Sequence, residues 1–252
     1  CGLECRLLVV KDHKSQPVHG NLLLNELLGA STEMVEVATQ EHLADAKQAL
    51  VEDLQRRGKK PFLVMDPSTR HLGAMGYVLC MAEMVEQFAH LGEPLETVVV
   101  CSSCATQPGL IFGGKALGLE TRTIGMAPIV WSYDLKEALL DVLGRMSDVL
   151  EMDLSFSTED IVNLASYVGP RGYGYPSPEG MEAFKLVAQT EGIFLDPIYS
   201  AKAMAGLIDL IRKGQFNSGE TVGFLHTGGT PLVFAYGDEL LAANQRRSTQ
   251  SF

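Results

Sequence analysis

The sequence predicts an α/β fold built on parallel sheets, and two features of the chain support this prediction. Short apolar segments alternate with longer segments of helical periodicity along almost the whole chain, which is typical of repeated strand–helix units. One segment, "ETVVVCS" at 96–102, has a continuously apolar centre, as expected of a strand that is covered on both faces of a parallel sheet.

Each predicted element follows from its own pattern of apolar, capping and turn residues. Leucines at helical spacing predict a helix over 20–30, and Thr39 is the predicted cap of a helix that runs to Gly58. The predicted strands are 3–10, 33–38, 60–66, 96–102, 120–127 and 220–227. The other predicted helices are 73–92, 109–118, 134–148, 158–167, 178–191 and 200–213, and a domain boundary fits near 66–78.

Composition and charge limit the classes of partner. Hydrophobic residues make up 46% and charged residues 20% of the chain, as in globular proteins, and the net charge is −11. Because phosphate contacts need a basic surface, this charge argues against a nucleic-acid partner. No apolar stretch approaches the roughly 20 residues that span a bilayer, so we expect a cytoplasmic protein without a membrane partner.

The five cysteines do not form a pattern that predicts disulfides, since they are few, odd in number and scattered. Two of them form the C-x-x-C segment "CSSC" at 101–104, which is compatible with redox chemistry or with half of a zinc site. A zinc site needs a second ligand pair, and none is evident in the sequence. A loop that happens to carry two thiols is the favoured interpretation, and no metal is expected.

Four loops are candidate binding sites because ligands of open parallel sheets gather at the carboxyl ends of the strands. The loop "CSSCATQPG" could hold a phosphate with its N–H groups and hydroxyls, although a plain strand-to-helix turn fits equally well. The others are "GPRGYGYPSPEG" (169–180), "LDPIYSAKAMAGL" (195–207) and "FLHTGGTPLVFAYG" (224–237). For these, a surface loop, a packed tyrosine and an ordinary turn are the alternatives.

Together these stretches resemble the D-cysteine desulfhydrase and 1-aminocyclopropane-1-carboxylate deaminase family. The segment from "EGIFLDPIYSAKAMAGLIDLIRKGQF" to "GETVGFLHTGGTPLVFAYG" carries the most specific part of the resemblance. The family has the tryptophan synthase β fold (fold type II of pyridoxal-phosphate enzymes), with two open, twisted, mostly parallel sheets flanked by helices. The resemblance implies that residues 1–72 are the remnant of a smaller α/β domain and that 73–252 form the larger cofactor-binding domain.

The resemblance also implies a cofactor, pyridoxal 5'-phosphate, and the residues that hold it. The family's phosphate loop, usually Gly-Ser-Gly-Gly-Thr, corresponds to Ser102, Ser103, Cys104, Ala105 and Thr106. Cys104 and Ala105 replace glycines, and each adds a Cβ where the backbone must approach a phosphate or adopt a positive φ, which could weaken binding. Thr227 corresponds to the residue that faces the pyridine nitrogen, and Gly228 lets the backbone pass close to the ring.

The catalytic residues implied by the resemblance are Tyr199 and Tyr173, which lie over cofactor and substrate in the family. Deaminases carry Glu and Leu where this chain has Ser200 and Thr227, which favours a desulfhydrase that converts D-cysteine to pyruvate, hydrogen sulfide and ammonia by α,β-elimination. The alternatives are 1-aminocyclopropane-1-carboxylate deaminase, L-cysteate sulfo-lyase and a non-catalytic fragment of the fold. A small amino-acid substrate and a homodimer are implied as well.

The family's cofactor-binding lysine has no counterpart in this sequence. Family members carry a Gly-Gly-Asn-Lys segment, whose lysine forms the Schiff base with the cofactor, and a Ser-Asn-His/Gln loop for the substrate carboxylate. Neither motif occurs here, and Lys115 and Lys202 stand in other contexts. The resemblance therefore implies that the sequence, which starts at Cys1, is an N-terminally truncated enzyme that is inactive as given. A processed or trimmed start is the alternative.

Overall fold

The computed structural model describes residues 2–12, 14, 15, 18–36, 40–64 and 66–248. Cys1 and the cap predicted at Thr39 lie outside these ranges. In chain order the elements are β1 (Arg6–Val10), α1 (Gly20–Leu27), β2 (Ser31–Val35), α2 (Gln40–Arg56), α3 (Arg70–His90), β3 (Thr97–Cys101), α4 (Thr106–Ala116), β4 (Arg122–Met126), α5 (Leu135–Leu150), β5 (Val162–Leu164), α6 (Pro178–Glu191), α7 (Ser200–Arg212), β6 (Val222–Leu225), α8 (Leu232–Ala235) and α9 (Gly237–Ser248).

The strands form two sheets with parallel pairing throughout, which confirms the predicted α/β class. The smaller sheet pairs β1 with β2, and the larger has the strand order β5-β4-β3-β6. In the larger sheet Val100 pairs with Gly125 on one side and with Leu225 on the other. Since all four strands run the same way, their carboxyl ends meet at one edge of the sheet.

Helices cover both faces of the larger sheet, and for this reason the inner strand β3 is buried from Thr97 to Val100. On one face, Met81 of α3 and Leu110 of α4 pack with Val98 and Val100 of β3. Beyond them, α3, α4 and α5 enclose a second core that includes Phe112, Leu143 and Met146, none of which is exposed. On the other face, α7 packs Ala203 and Leu207 against β3 and β4. The continuous apolar pattern of β3 therefore predicted its burial correctly.

Helices α3 and α4 approach closely because glycines on α4 face the backbone of α3. A Cβ on Gly109 would lie 2.1 Å from the carbonyl oxygen of Ala74, and one on Gly113 would lie 2.9 Å from the Cβ of Met81. Side chains at these two positions would force the helices apart. The close packing fixes the first turn of α4, which follows the loop at the end of β3.

The helix predicted over 158–167 is wrong. Residues 158–160 form one 3-10 turn with Ser157 and Asp160 in a capping box, and Val162–Leu164 form β5, which pairs with β4. The mixture of apolar and polar residues allowed either structure, and pairing with a strand distant in sequence decides it.

The strand predicted at 60–66 is also absent from its described residues, 60–64 and 66. A strand needs a paired neighbour, and Pro61 has no N–H group to donate to one. In contrast, α4 begins three residues earlier than predicted, because Pro108 is tolerated in the first turn of a helix, where its missing N–H would have no intrahelical acceptor.

In the described part of the chain, no helix has both the length and the apolarity needed to cross a membrane. The same residues contain no group of three or more His, Cys, Asp or Glu side chains arranged to hold a metal ion.

A pair of glycine substitutions tests the packing of α3 on α4. Gly109→Ala is expected to lower the free energy of unfolding by about 2 kcal/mol or more, because the added methyl group overlaps the backbone of α3. Gly144→Ala, on an open face of α5, is expected to raise it by about 0.5–1 kcal/mol through helix propensity. Urea denaturation of both variants measures the difference, and equal effects would contradict this packing.

Candidate active site

The candidate site lies at the carboxyl edge of the larger sheet, where β3 and β6 end side by side. Val100 pairs with Leu225, so that Ser102 and Thr227, two residues further along each chain, follow at the same edge. The 102–106 loop and the turn after β6 are therefore neighbours. The predicted meeting of these two motifs is a consequence of the parallel register.

The 102–106 loop presents free backbone donors at the start of α4. The N–H of Ser102 donates to the carbonyl of Met126 at 3.0 Å, and its hydroxyl accepts from the N–H of Gln107 at 3.0 Å. Among the described residues, the N–H groups of 103–106 have no hydrogen-bond partner. Unpaired donors at the N-terminus of an 11-residue helix are well suited to a phosphate group.

The two residues that replace glycines, Cys104 and Ala105, fit this loop without a left-handed backbone. In the described chain only Glu151 is a non-glycine residue with positive φ, and Ala105 has a φ of −102°. The methyl group of Ala105 is buried in the core beside Ala74 and Phe112. Its Cβ therefore points away from the loop's free donors.

A buried pair of side-chain amides, Gln107 and Asn163, connects the 102–106 loop to the sheet, and sequence reasoning missed it. Gln107 is completely buried, and its side-chain amide donates to the carbonyl of Val162 at 2.8 Å while accepting from Asn163 at 2.7 Å. Asn163 also donates to the carbonyl of Ser102 at 2.9 Å. A Cβ on Gly125 would lie 2.2 Å from the Gln107 Oε1, so glycine in β4 makes room for the pair.

Asp196 organises the second part of the site, the start of α7. This fully buried carboxylate accepts four hydrogen bonds, from the N–H groups of Ile198, Tyr199 and Ser200 and from the Ser200 hydroxyl, at 2.6–2.9 Å. The carboxylate thus satisfies the helix donors that have no intrahelical acceptor. Tyr199 is thereby held at the N-cap of α7, directly before the first residue of the helix.

The two predicted catalytic tyrosines meet in space. The hydroxyl groups of Tyr173 and Tyr199 are in hydrogen-bonding contact, and their ring centroids are 6.0 Å apart in an edge-to-face arrangement. Burial, the neighbouring Tyr173 and the charge of Asp196 raise the pKa of Tyr199 well above its usual value. Tyr199 is therefore a protonated phenol at any physiological pH.

Two side chains that the sequence did not single out hold the loop of Tyr173 in place. The Tyr236 hydroxyl donates to the carbonyl of Gly174 at 2.6 Å, and the Lys202 Nζ donates to the carbonyl of Gly172 at 3.3 Å. These carbonyls flank Tyr173 on both sides. Its ring is half-exposed, but the backbone that carries it is fixed to α7 and to the C-terminal segment.

Lys202 is unusual because it is a buried lysine with a neutral partner. Its side chain is 1% exposed, and burial lowers the pKa of its ammonium group. The charge of Asp196 acts in the opposite direction but less strongly. Burial also raises the pKa of the Cys101 thiol to about 12, so this cysteine is not a thiolate nucleophile.

The third part of the site, the turn after β6, requires its two glycines. Gly228 and Gly229 have φ values of 106° and 96°, which other residues rarely adopt. A Cβ on Gly229 would lie 2.7 Å from an oxygen of Asp196, so the turn packs directly on the carboxylate that caps α7. The side chain of Thr227 is exposed at this edge.

Comparisons with known proteins identify the family of this chain. The model of the family described as pyridoxal-phosphate dependent enzymes matches residues 1–228. A D-cysteine desulfhydrase of Serratia proteamaculans is 35% identical over 246 residues, which cover 93% of this chain and 71% of the relative. A 1-aminocyclopropane-1-carboxylate deaminase of Methylobacterium nodulans is 32% identical over 242 residues, covering 94% of this chain and 72% of that protein.

Solved structures show the same fold. The crystal structure of an ACC deaminase homologue superposes with a TM-score of 0.81 at 29% identity, over 96% of this chain and 71% of that one. A threonine deaminase from Solanum lycopersicum superposes with a TM-score of 0.57 at 13% identity, over 95% of this chain and 66% of that one, a likeness of fold alone. The predicted fold of two parallel sheets flanked by helices, fold type II, is confirmed.

Replacing Lys202 tests the account of its burial. Lys202→Met is expected to raise the free energy of unfolding by about 1 kcal/mol, because an apolar side chain of similar length avoids burying a charge. The matched control is Lys213→Met, at the C-cap residue directly after α7. Lys213 is 63% exposed and pairs with Asp209 at 2.7 Å, so we expect a change within about 0.5 kcal/mol.

The pH dependence of stability provides a second measurement on the same variant. At pH values between the lowered pKa of folded Lys202 and the usual lysine pKa of 10.5, the amine is neutral in the folded protein and protonated in the unfolded chain. Unfolding therefore takes up a proton, and this contribution to the free energy of unfolding of the wild-type protein rises with pH over this range. Lys202→Met lacks this contribution. Parallel stability–pH curves for the two proteins over this range would contradict a lowered pKa.

Proposed function

Because the chain belongs to the family of pyridoxal-phosphate-dependent enzymes, we propose that it is a carbon–sulfur lyase resembling D-cysteine desulfhydrase. The reaction is the α,β-elimination of D-cysteine, in which D-cysteine and water give pyruvate, hydrogen sulfide and ammonia. The observation that carries this proposal is the environment of Ser200. Its side chain is 2% exposed and is hydrogen-bonded to Asp196 at 2.6 Å.

This environment favours the lyase over the deaminase. The resemblance assigns glutamate to this position in the deaminases, and a glutamate here would place a second carboxylate against the buried Asp196. Like charges at such a distance are strongly unfavourable in a buried setting. The Ser200 hydroxyl instead donates a hydrogen bond to the carboxylate of Asp196 and accepts one from the backbone N–H of Asp196 at 2.8 Å.

Pyridoxal phosphate is the cofactor of this family, and the residues at the sheet edge fit it. We assign the four free N–H groups of 103–106 to its phosphate, and the exposed Thr227 hydroxyl to its pyridine nitrogen. Gly228, which lacks a side chain, leaves space for the ring. Neither Cys104 nor Ala105 strains the backbone of the loop, because neither has a positive φ, and the methyl group of Ala105 is buried in the core.

When bound, the cofactor supplies an electron sink for the α-carbon of the amino acid. The hydroxyl of Thr227 contributes a neutral hydrogen bond to the ring nitrogen, which does not hold that nitrogen protonated as a carboxylate would. The tyrosine pair lies at the same edge, where Tyr199 can act as an acid.

We assign to Tyr199 the role of proton donor to the leaving sulfur. The raised pKa makes Tyr199 a weaker acid than an ordinary tyrosine but keeps it a neutral phenol, which can hydrogen-bond to the departing sulfur and share its proton as charge develops there, whereas removal of a substrate proton by tyrosinate is disfavoured. The Tyr173 hydroxyl, in contact with that of Tyr199, can pass a replacement proton from solvent, because its ring is 49% exposed.

The alternatives remain those of the family: 1-aminocyclopropane-1-carboxylate deaminase, L-cysteate sulfo-lyase and a non-catalytic chain of this fold. We further propose a cytoplasmic homodimer, with residues 1–72 as a smaller α/β domain and 73–252 as the cofactor-binding domain. Residues 1–252 contain no Gly-Asn-Lys segment, and we propose that they do not turn over substrate unaided.

Product analysis distinguishes these alternatives. Residues 1–252 are assayed alone and as a chimera preceded by a family member's lysine-bearing region, both loaded with pyridoxal phosphate. We expect the chimera to release sulfide and pyruvate from D-cysteine and the unfused chain to release neither. Release of 2-oxobutyrate from 1-aminocyclopropane-1-carboxylate would show deaminase activity in place of the proposed lyase activity. Release of sulfite from L-cysteate would show sulfo-lyase activity in its place.

The same proteins are treated with borohydride, which fixes any lysine bound to the cofactor, and are then mapped by peptide analysis. We expect a modified lysine only in the added region of the chimera. If the chimera traps the cofactor but forms none of these products, the chain is non-catalytic. If a single lysine within residues 1–252 is modified, the proposal that this chain depends on the added lysine-bearing region is contradicted.

The role of Tyr199 is tested by Tyr199→Phe in the active chimera. We expect kcat to fall by about 10²–10⁴, with little change in cofactor affinity, because only the transferable proton is lost. Tyr167→Phe is the matched control, since that hydroxyl binds Asp209 at 2.5 Å, away from the tyrosine pair. An unchanged kcat in Tyr199→Phe would exclude the assigned role.

A further inference from the structure

The imidazole of His226 connects two segments of the candidate site. His226 directly follows β6, and its Nδ1 lies 3.1 Å from the N–H of Gly228 in the glycine turn. Its Nε2 lies 3.0 Å from the carbonyl oxygen of Phe194, a residue 32 positions earlier. One side chain therefore spans from the turn to the segment that leads into Asp196.

The chemistry of the two partners determines the protonation state of the ring. A backbone N–H can only donate, so the Nδ1 of His226 must accept and carries no proton. A carbonyl can only accept, so the Nε2 must carry the proton and donate to Phe194. The ring is therefore the neutral tautomer with its proton on Nε2, and protonation of Nδ1 would break the bond to Gly228.

One end of this bridge packs on the buried carboxylate of Asp196, and the other is attached to the segment that precedes it. On one side, Gly229 packs against the carboxylate of Asp196, where a Cβ would lie 2.7 Å from an oxygen. On the other side, Phe194 precedes Asp196 by two residues. The glycine turn is thus held between the His226 ring and the carboxylate that positions Tyr199.

We propose that His226, in its neutral Nε2–H form, is the positioning residue for Thr227. Thr227 lies between the ring that accepts from Gly228 and the strand β6, so its backbone is fixed on both sides. Only the final step, the direction of the Thr227 hydroxyl to the cofactor's pyridine nitrogen, rests on the proposed function. The bridge itself holds without cofactor.

The direct test is the ¹⁵N NMR spectrum of the full chain with labelled histidine, recorded at neutral pH without cofactor. We expect His226 to show a protonated Nε2 and an unprotonated, hydrogen-bonded Nδ1. A proton on Nδ1, or rapid exchange between both tautomers, would overturn the proposal. Failure of the proposed enzymatic function would leave this result unchanged.

Two substitutions separate the bond to Gly228 from the rest of the side chain. His226→Asn places an oxygen near the position of Nδ1 and is expected to keep the slow amide exchange of Gly228, whereas His226→Leu is expected to speed that exchange on the order of fivefold. His90→Leu, on an exposed residue in the last turn of α3, is the control and should change nothing.

Affinity for pyridoxal phosphate, measured by equilibrium titration, tests the consequence for the site. We expect His226→Leu to weaken binding on the order of fivefold, by loosening the turn that carries Thr227, and His226→Asn to restore most of it. If His226→Leu does not fold, the ¹⁵N spectrum of the wild-type protein and the Gly228 amide exchange of His226→Asn test the positioning role. Unaltered Gly228 exchange in a folded His226→Leu protein would refute the positioning role.

Discussion

The candidate site depends on one buried carboxylate. Asp196 has no exposed surface, and a charge in that position is tolerated only because four donors at the start of α7 surround it. The same carboxylate accepts hydrogen bonds from the N–H of Tyr199 and from the hydroxyl of Ser200, and it contacts the glycine turn after β6. Removal of this carboxylate would leave buried donors unpaired and would release two of the three parts of the site together.

The third part, the 102–106 loop, is attached through the sheet. Parallel pairing of β3 with β6 places the loop beside the turn, while the buried Gln107 and Asn163 connect the loop to β4 and β5. The 102–106 loop is therefore held by buried hydrogen bonds, whereas Tyr173 is half-exposed.

Sequence reasoning predicted the elements whose signals are local, and it failed where distant contacts decide. The buried strand β3 and the helices α6 and α7 followed from their apolar patterns. The strand β5 was mistaken for a helix because its conformation depends on pairing with β4. The role of Asp196 was missed as well, although its Asp-Pro-x-x-Ser spacing is a capping signal, and the burial of Lys202 has no signature in the sequence.

Amide hydrogen exchange with and without pyridoxal phosphate tests the central claim, that the edge formed by the 102–106 loop and the glycine turn is the cofactor site. The N–H groups of 103–106 have no partner in the described chain, so any bound phosphate should slow their exchange directly. We predict slower exchange at 103–106 upon addition of the cofactor. Binding that leaves these four amides unchanged and protects another region would contradict the account.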